Sequence, residues 1–128
     1  LAAARPWIDD AFSADTVAEI VDRLRARTEP GAAETADLLG ELSPTALAVT
    51  LASIRRARDL PDLRAALEQE YRLVLWFAAT QPDLVEGIRA QVIDKDRAPK
   101  WQPATIAELA PDVEASAFGY RPRTPLWT

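Results

Sequence analysis

Thr16-Val17-Ala18-Glu19-Ile20-Val21-Asp22-Arg23-Leu24 is the stretch whose reading decides the fold. Val17, Ile20, Val21 and Leu24 recur at i, i+3, i+4 and i+7, which places them on one side of a helix and on alternating sides of nothing else. Thr16 followed three residues later by Glu19 is a capping box at the head of that stripe. The pattern predicts a helix from about Thr16 to Arg27, stopped before Pro30-Gly31.

The same period extends downstream. A weaker helix is expected over roughly Ala32 to Leu42, with Ala36, Leu39 and Leu42 inward. Ser43-Pro44 supplies an N-cap and a first-turn proline for a helix carrying Leu47, Leu51 and Ile54 and ending near Arg58-Asp59. Pro61 opens the longest segment, to about Thr80, with Leu63, Leu67, Tyr71, Val74 and Phe77 on one side. Leu73, Leu75 and Trp76 widen that surface, and Trp76 reads as core. Pro82 starts another helix, to about Asp94, with Leu84, Ile88 and Val92 facing in.

Beyond it, Asp94-Lys95-Asp96-Arg97-Ala98-Pro99-Lys100-Trp101 is charged and broken by proline, hence a loop. Thr105 with Glu108 is a second capping box, for a short helix, and Pro111 opens one or two further turns. From Gly119 the tail carries Pro122 and Pro125 and is expected to be extended. No strand pattern or internal repeat is present. The expected fold is all-α: five to seven helices in one helical region over 1–128, with an extended, proline-containing tail over 119–128.

Composition narrows the chemistry. The 128 residues include no Cys and no His, which excludes disulfides, a thiol nucleophile, a Ser-His-Asp triad and imidazole-bearing zinc sites. The four glycines are too far apart for a phosphate-cradling loop. A formal net charge of −5 argues against nucleic acid as a partner. No apolar run approaches the roughly 18 residues that a membrane span needs. The chain reads as cytoplasmic. It contains no Met, so Leu1 is not expected to be a natural start and the chain reads as a piece of something longer.

Few constellations could carry chemistry. Glu68 and Glu70, two apart on a helix, point to different sides and cannot act on one substrate. Asp94 and Asp96 resemble the opening of a calcium loop, but Ala98, Pro99 and Thr105 occupy positions where donors and glycine are needed. No metal site is expected. Arg55, Arg56 and Arg58 suit a helix C-terminus electrostatically, or else a ligand's phosphates. Lys95 and Lys100, the only lysines, sit with Arg97 in the charged loop, where solvated charge and ligand contact are both open. Trp7 and Trp127, near the ends, read as anchors that dock a segment onto something else.

A specific likeness adds to this. Glu86-Gly87-Ile88-Arg89-Ala90, Ile93 to Trp101 and Pro103-Ala104-Thr105 together resemble the C-terminal signature of 3-hydroxyisobutyryl-CoA hydrolases, of the crotonase superfamily. Ser43 to Thr50 is similar to that family's Ser-Pro-Thr-Ser-Leu-Lys-Val-Thr, and Glu70-Tyr71-Arg72-Leu73 to its Glu-Tyr-Arg-Leu. Ala46 and Ala48 depart from it, as does Leu84, where an aromatic is common.

The resemblance implies the helical C-terminal part of an enzyme acting on acyl-CoA thioesters, as a hydrolase or as an enoyl-CoA hydratase/isomerase. It implies that two backbone N–H groups hold the thioester oxygen and a carboxylate moves the proton. Those residues lie upstream in the family, so no catalytic residue is assigned here and the chain alone is expected to be inactive. The segment's implied role is to pack on the N-terminal core, support homo-oligomer contacts and line part of the CoA groove. Lys95, and after it Arg97, would meet the CoA phosphates or adenine end. CoA enters as part of the substrate, and no separate cofactor is expected. The competing reading is a free-standing helical module that binds another protein.

Overall fold

The computed structural model describes residues 3–127, and among them every regular element is helical. In order these are α1 (Arg5–Ala11), α2 (Val17–Arg25), α3 (Pro30–Gly40), α4 (Pro44–Ala57), α5 (Leu63–Thr80), α6 (Pro82–Ile88) and α7 (Val113–Gly119). A wide π-type turn, Arg89–Ile93, extends α6, and a single 3₁₀ turn covers Ile106–Glu108. The all-α class with seven α-helices agrees with the sequence reading.

The capping chemistry accounts for where these elements begin. The Thr16 hydroxyl accepts from the Glu19 N–H at 3.2 Å, and Glu19 Oε2 accepts from the Thr16 N–H at 3.2 Å. Two of the otherwise orphaned first-turn donors are satisfied reciprocally. Ser43 caps α4 through the Ala46 N–H at 3.1 Å, and Asp62 caps α5 through the Ala65 N–H at 2.8 Å. The Thr105–Glu108 box is present too.

The buried interior forms two clusters. In the first, Ile20 and Leu24 of α2 meet Ala11 and Ala14, Ala32 and Ala36, with Trp7, Val21, Leu39 and Leu51 packed around them. Four alanines let the backbones of α1, α2 and α3 approach closely. In the second, Val49 of α4, Leu73 and Trp76 of α5 and Ala117 of α7 are buried together. Trp76 meets Phe77 edge to face at 4.9 Å, and the Arg56 guanidinium lies 4.1 Å over the Phe118 ring.

Several boundaries and faces differ from the sequence reading. Residues Arg5–Ala11, assigned no element there, form α1 with Pro6 in its first turn. Pro30 opens α3 instead of only closing what precedes it, since a proline without an N–H fits a first turn. Pro61 lies outside α5, which Asp62 caps.

The face of α5 is rotated: Gln69, Leu73 and Trp76, at i, i+4 and i+7, are buried, whereas Leu63, Leu67 and Val74 are exposed. Apolar residues surround that helix on more than one side, so periodicity alone could not single out the inward one. Leu42, Ile54, Leu84, Ile88 and Val92, all read as inward, are exposed as well. Gly119 belongs to α7, and the tail begins after it. There the Tyr71 hydroxyl donates to the Thr124 carbonyl at 3.0 Å, and Arg64 lies 4.7 Å over the Trp127 ring.

Candidate functional site

The candidate site is the turn and loop from Glu86 to Gln102, anchored at its far end by Asp83. Asp83, in the first turn of α6, is buried; its Oδ2 accepts from the Ser43 hydroxyl at 2.5 Å and its Oδ1 from the Gln102 N–H at 2.8 Å. The Trp101 indole N–H donates to the Glu41 carbonyl at 2.9 Å. Gly87 leaves room for that ring: a Cβ there would stand 3.4 Å from Trp101 Cη2.

The near end is organised by one guanidinium. Arg89 Nε and Nη2 grip both oxygens of Glu86 at 2.8 Å, a bidentate pair three residues apart. Arg89 Nη1 reaches Asp94 Oδ2 at 2.8 Å and Asp96 Oδ2 at 2.6 Å. Glu86 Oε1 also accepts from the Lys100 N–H at 2.7 Å, and Asp96 Oδ1 from the Ala98 N–H at 3.0 Å. Arg89 can reach forward because the wide turn bonds the Asp94 N–H to its carbonyl, five residues back, at 2.8 Å.

The electrostatics follow. Hydrogen bonds from Arg89, and then from the Lys100 N–H, hold the Glu86 carboxyl down at about 2. Arg89, and then the Ala98 N–H, hold Asp96 below the usual carboxylate range. Glu86, then Asp96 and Asp94, stabilise the Arg89 cation still further.

Inside this frame the backbone is strained. Lys95 and Arg97 have φ of 56° and 53°, the left-handed region, which costs a residue with a Cβ about 1–2 kcal/mol each. The Arg97 N–H is bonded to the Ala90 carbonyl at 3.1 Å. The side chains of Lys95 and Arg97 are exposed and enter no ion pair or hydrogen bond among the described residues. Lys95 and Arg97 are thus free, while Arg89, to which the sequence reading gave no role, is fully engaged. Its one signal in the sequence was its spacing of three, five and seven from Glu86, Asp94 and Asp96.

Other candidates come apart. Arg55 Nη1 donates to the Asp15 carbonyl at 2.6 Å and its Nη2 to the Ala14 carbonyl, tying α4 to the start of α2. With Arg56 on Phe118 and Arg58 exposed, the three arginines do not converge. Glu70 accepts from the Ser53 hydroxyl at 2.7 Å, and Glu68 is not brought to it. Asp94 and Asp96 share the Arg89 guanidinium.

Two open apolar grooves flank Trp101. One, of about 470 Å³, is lined by Phe77, Leu84, Ile88, Val92 and Trp101 among others; the second, of about 460 Å³, by Phe12, Leu39, Leu42, Leu47, Ile54 and Trp101. Ser43 and Ala46 border both. Among the described residues no helix is long and apolar enough to cross a membrane.

Comparison with known proteins adds identity to this geometry. Residues 1–118 match a sequence model described as enoyl-CoA hydratase/isomerase. The mitochondrial 3-hydroxyisobutyryl-CoA hydrolase of Rattus norvegicus is 36% identical over 111 residues, covering 87% of this chain and 28% of that protein. Its Homo sapiens counterpart is 37% identical over 102 residues, covering 80% of this chain and 26% of that protein. Among solved structures, a carnitinyl-CoA dehydratase from Mycobacterium thermoresistibile is 45% identical with a TM-score of 0.87, covering 98% of this chain and 35% of that one. An enoyl-CoA hydratase from Rhodobacter sphaeroides 2.4.1 is 41% identical with a TM-score of 0.83, covering 94% of this chain and 35% of that one. The chain therefore spans well under half the length of these relatives.

Proposed function

This chain belongs to the enoyl-CoA hydratase/isomerase family, and from that premise we propose that it is the helical C-terminal part of an enzyme acting on acyl-CoA thioesters. The reaction is hydrolysis of the 3-hydroxyisobutyryl-CoA type or hydration and isomerisation of an enoyl-CoA. No residue of this chain is assigned to the bond-breaking step. Its part is to pack on the remainder of the enzyme, to support contacts between subunits and to offer Lys95 and Arg97 to the phosphates or adenine end of CoA. The cytoplasm is the proposed location, although the animal relatives above carry "mitochondrial" in their names.

The observation that carries the reading is the exposed apolar surface on both sides of Trp101, in a chain that spans 28% of the rat relative. Ile54, Leu84, Ile88 and Val92 are each 40% exposed or more. A contiguous surface of that kind marks a contact with other protein. The comparisons favour the enzyme over a free-standing interaction module.

The test is thiol release from 3-hydroxyisobutyryl-CoA, with crotonyl-CoA hydration in parallel, by this chain and by the complete polypeptide. The expected result is turnover of one thioester by the complete polypeptide and none by the chain alone. Turnover by the chain alone would overturn the assignment, and so would a complete polypeptide that turns over neither.

A further inference from the structure

The exposed cations of the loop are set in place by a residue that does not itself face solvent freely. Arg89, with a side chain 29% exposed, binds Glu86, Asp94 and Asp96 at once. Its partners fix the loop at several points: Asp94 just before Lys95, Asp96 between Lys95 and Arg97, and Glu86 through the Lys100 N–H. Arg89 Nη2 also lies 3.4 Å from the Ala98 carbonyl. The two left-handed residues are both free cations, and they flank the aspartate held most closely.

We propose that Arg89 is the positioning residue of the phosphate-binding loop: it imposes the backbone conformation that presents Lys95 and Arg97 to the anionic end of CoA. This rests on the reading of Lys95 and Arg97 given above. Two left-handed residues so close together relax toward ordinary conformations unless the surroundings hold them. Only a planar fork can bind both oxygens of Glu86 while its remaining N–H groups span two aspartates. Lysine keeps the charge but is a point donor. Arg89 neutralises Asp94 and Asp96, which otherwise stand beside the phosphates as repelling charges. It touches no substrate and acts through the loop alone.

The experiment is steady-state kinetics of Arg89→Lys, Lys95→Ala and their combination in the complete polypeptide, at several ionic strengths. Arg89→Lys is expected to raise the KM for acyl-CoA about fivefold with kcat within about twofold, the scale of exposed charge interactions. The salt dependence of KM should flatten, because fewer cations then meet the phosphates. The double variant should raise KM by less than the product of the two single effects, since both changes remove the Lys95 contact while only Arg89→Lys also displaces Arg97. If Lys95→Ala raises KM while Arg89→Lys leaves KM and its salt dependence unchanged, the positioning role is wrong and the loop reading stands. If Lys95→Ala and Arg97→Ala both leave KM unchanged, the loop reading falls and this inference with it. Should Arg89→Lys fail to fold, Glu86→Gln, which loosens the bidentate grip on Arg89 and leaves both aspartates in place, must still raise KM for the proposal to survive.

Discussion

Ser43 and Asp83, forty positions apart, meet in a buried hydrogen bond of 2.5 Å from the Ser43 hydroxyl to Asp83 Oδ2. Through it the first turn of α4, the first turn of α6 and the loop at Gln102 share one polar joint. Ser43 accepts from the Ala46 N–H while donating to Asp83, and Asp83 uses its other oxygen on the Gln102 N–H. The Trp101 indole on the Glu41 carbonyl and the Lys100 N–H on Glu86 tie the same loop to the approach to α4 and to α6.

Asp83→Ala should therefore destabilise the chain by more than Ser43→Ala does. The aspartate variant strands the buried Ser43 hydroxyl donor, at about 1–3 kcal/mol, and also takes the acceptor from the partly buried Gln102 N–H. The serine variant removes an N-cap and one donor, about 1 kcal/mol, and leaves Asp83 its bond to Gln102. Urea unfolding of the two variants gives the order directly, and equal losses would mean that the joint is not shared.

Glu86 gives a pH dependence whose sign is fixed. Its carboxyl falls from an ordinary 4.5 to about 2 on folding because Arg89 and the Lys100 N–H bind the charged form. A depressed carboxyl contributes stability that is complete above its unfolded pKa and is lost as pH falls toward the folded one. Thermal unfolding between pH 5 and about pH 2 should show the melting temperature of the wild type falling more steeply than that of Glu86→Gln. Parallel curves would show that the web around Arg89 adds nothing to the folded state.

How much of this was legible beforehand depended on whether a signal was local. The α2 helix could be read to within two residues because Thr16, Glu19 and the stripe from Val17 to Leu24 all act over one or two turns. Ser43-Pro44 and Thr105–Glu108 were readable for the same reason. The inward face of α5 was not, because Leu63, Leu67, Leu73, Val74 and Trp76 leave no clear polar side and Gln69, a polar residue, is on the buried one. Nor was Arg89 distinguishable, since an arginine near three carboxylates is ordinary in an acidic chain. Its role depends on a wide turn that sequence periodicity does not report.

Gly87 of α6 lies against the Trp101 ring, and its two substitutions should part company. A single Cβ at 3.4 Å from Cη2 is ordinary contact, so Gly87→Ala should stabilise by about 0.4–1 kcal/mol through the unfolded state. Gly87→Leu must push the indole off the Glu41 carbonyl and should cost about 1–3 kcal/mol as overpacking. Indole N–H resonances in ¹H–¹⁵N spectra separate the cases: Trp101 should move in the leucine variant and stay in the alanine one. A leucine variant with an unmoved Trp101 signal would mean the ring does not rest on α6.

The grooves beside Trp101 make a prediction about the isolated chain. The apolar surface that the proposed function assigns to contact with the remainder of the enzyme is open here, so the chain should associate with itself as concentration rises. Ile54 and Ile88, one on each groove, are 57% and 46% exposed. Replacing both with Glu should shift sedimentation equilibrium toward monomer, while unfolding free energy changes by about 1 kcal/mol or less because neither side chain is in the core. Leu38 is as exposed, at 56%, but lines neither groove, so Leu38→Glu should leave association where it was. If Leu38→Glu disperses the chain as well as the double variant does, association follows general stickiness and the grooves are not the seam. If only the groove variant disperses it, the surface around Trp101 is the one that seeks a partner, and Trp101 marks its centre.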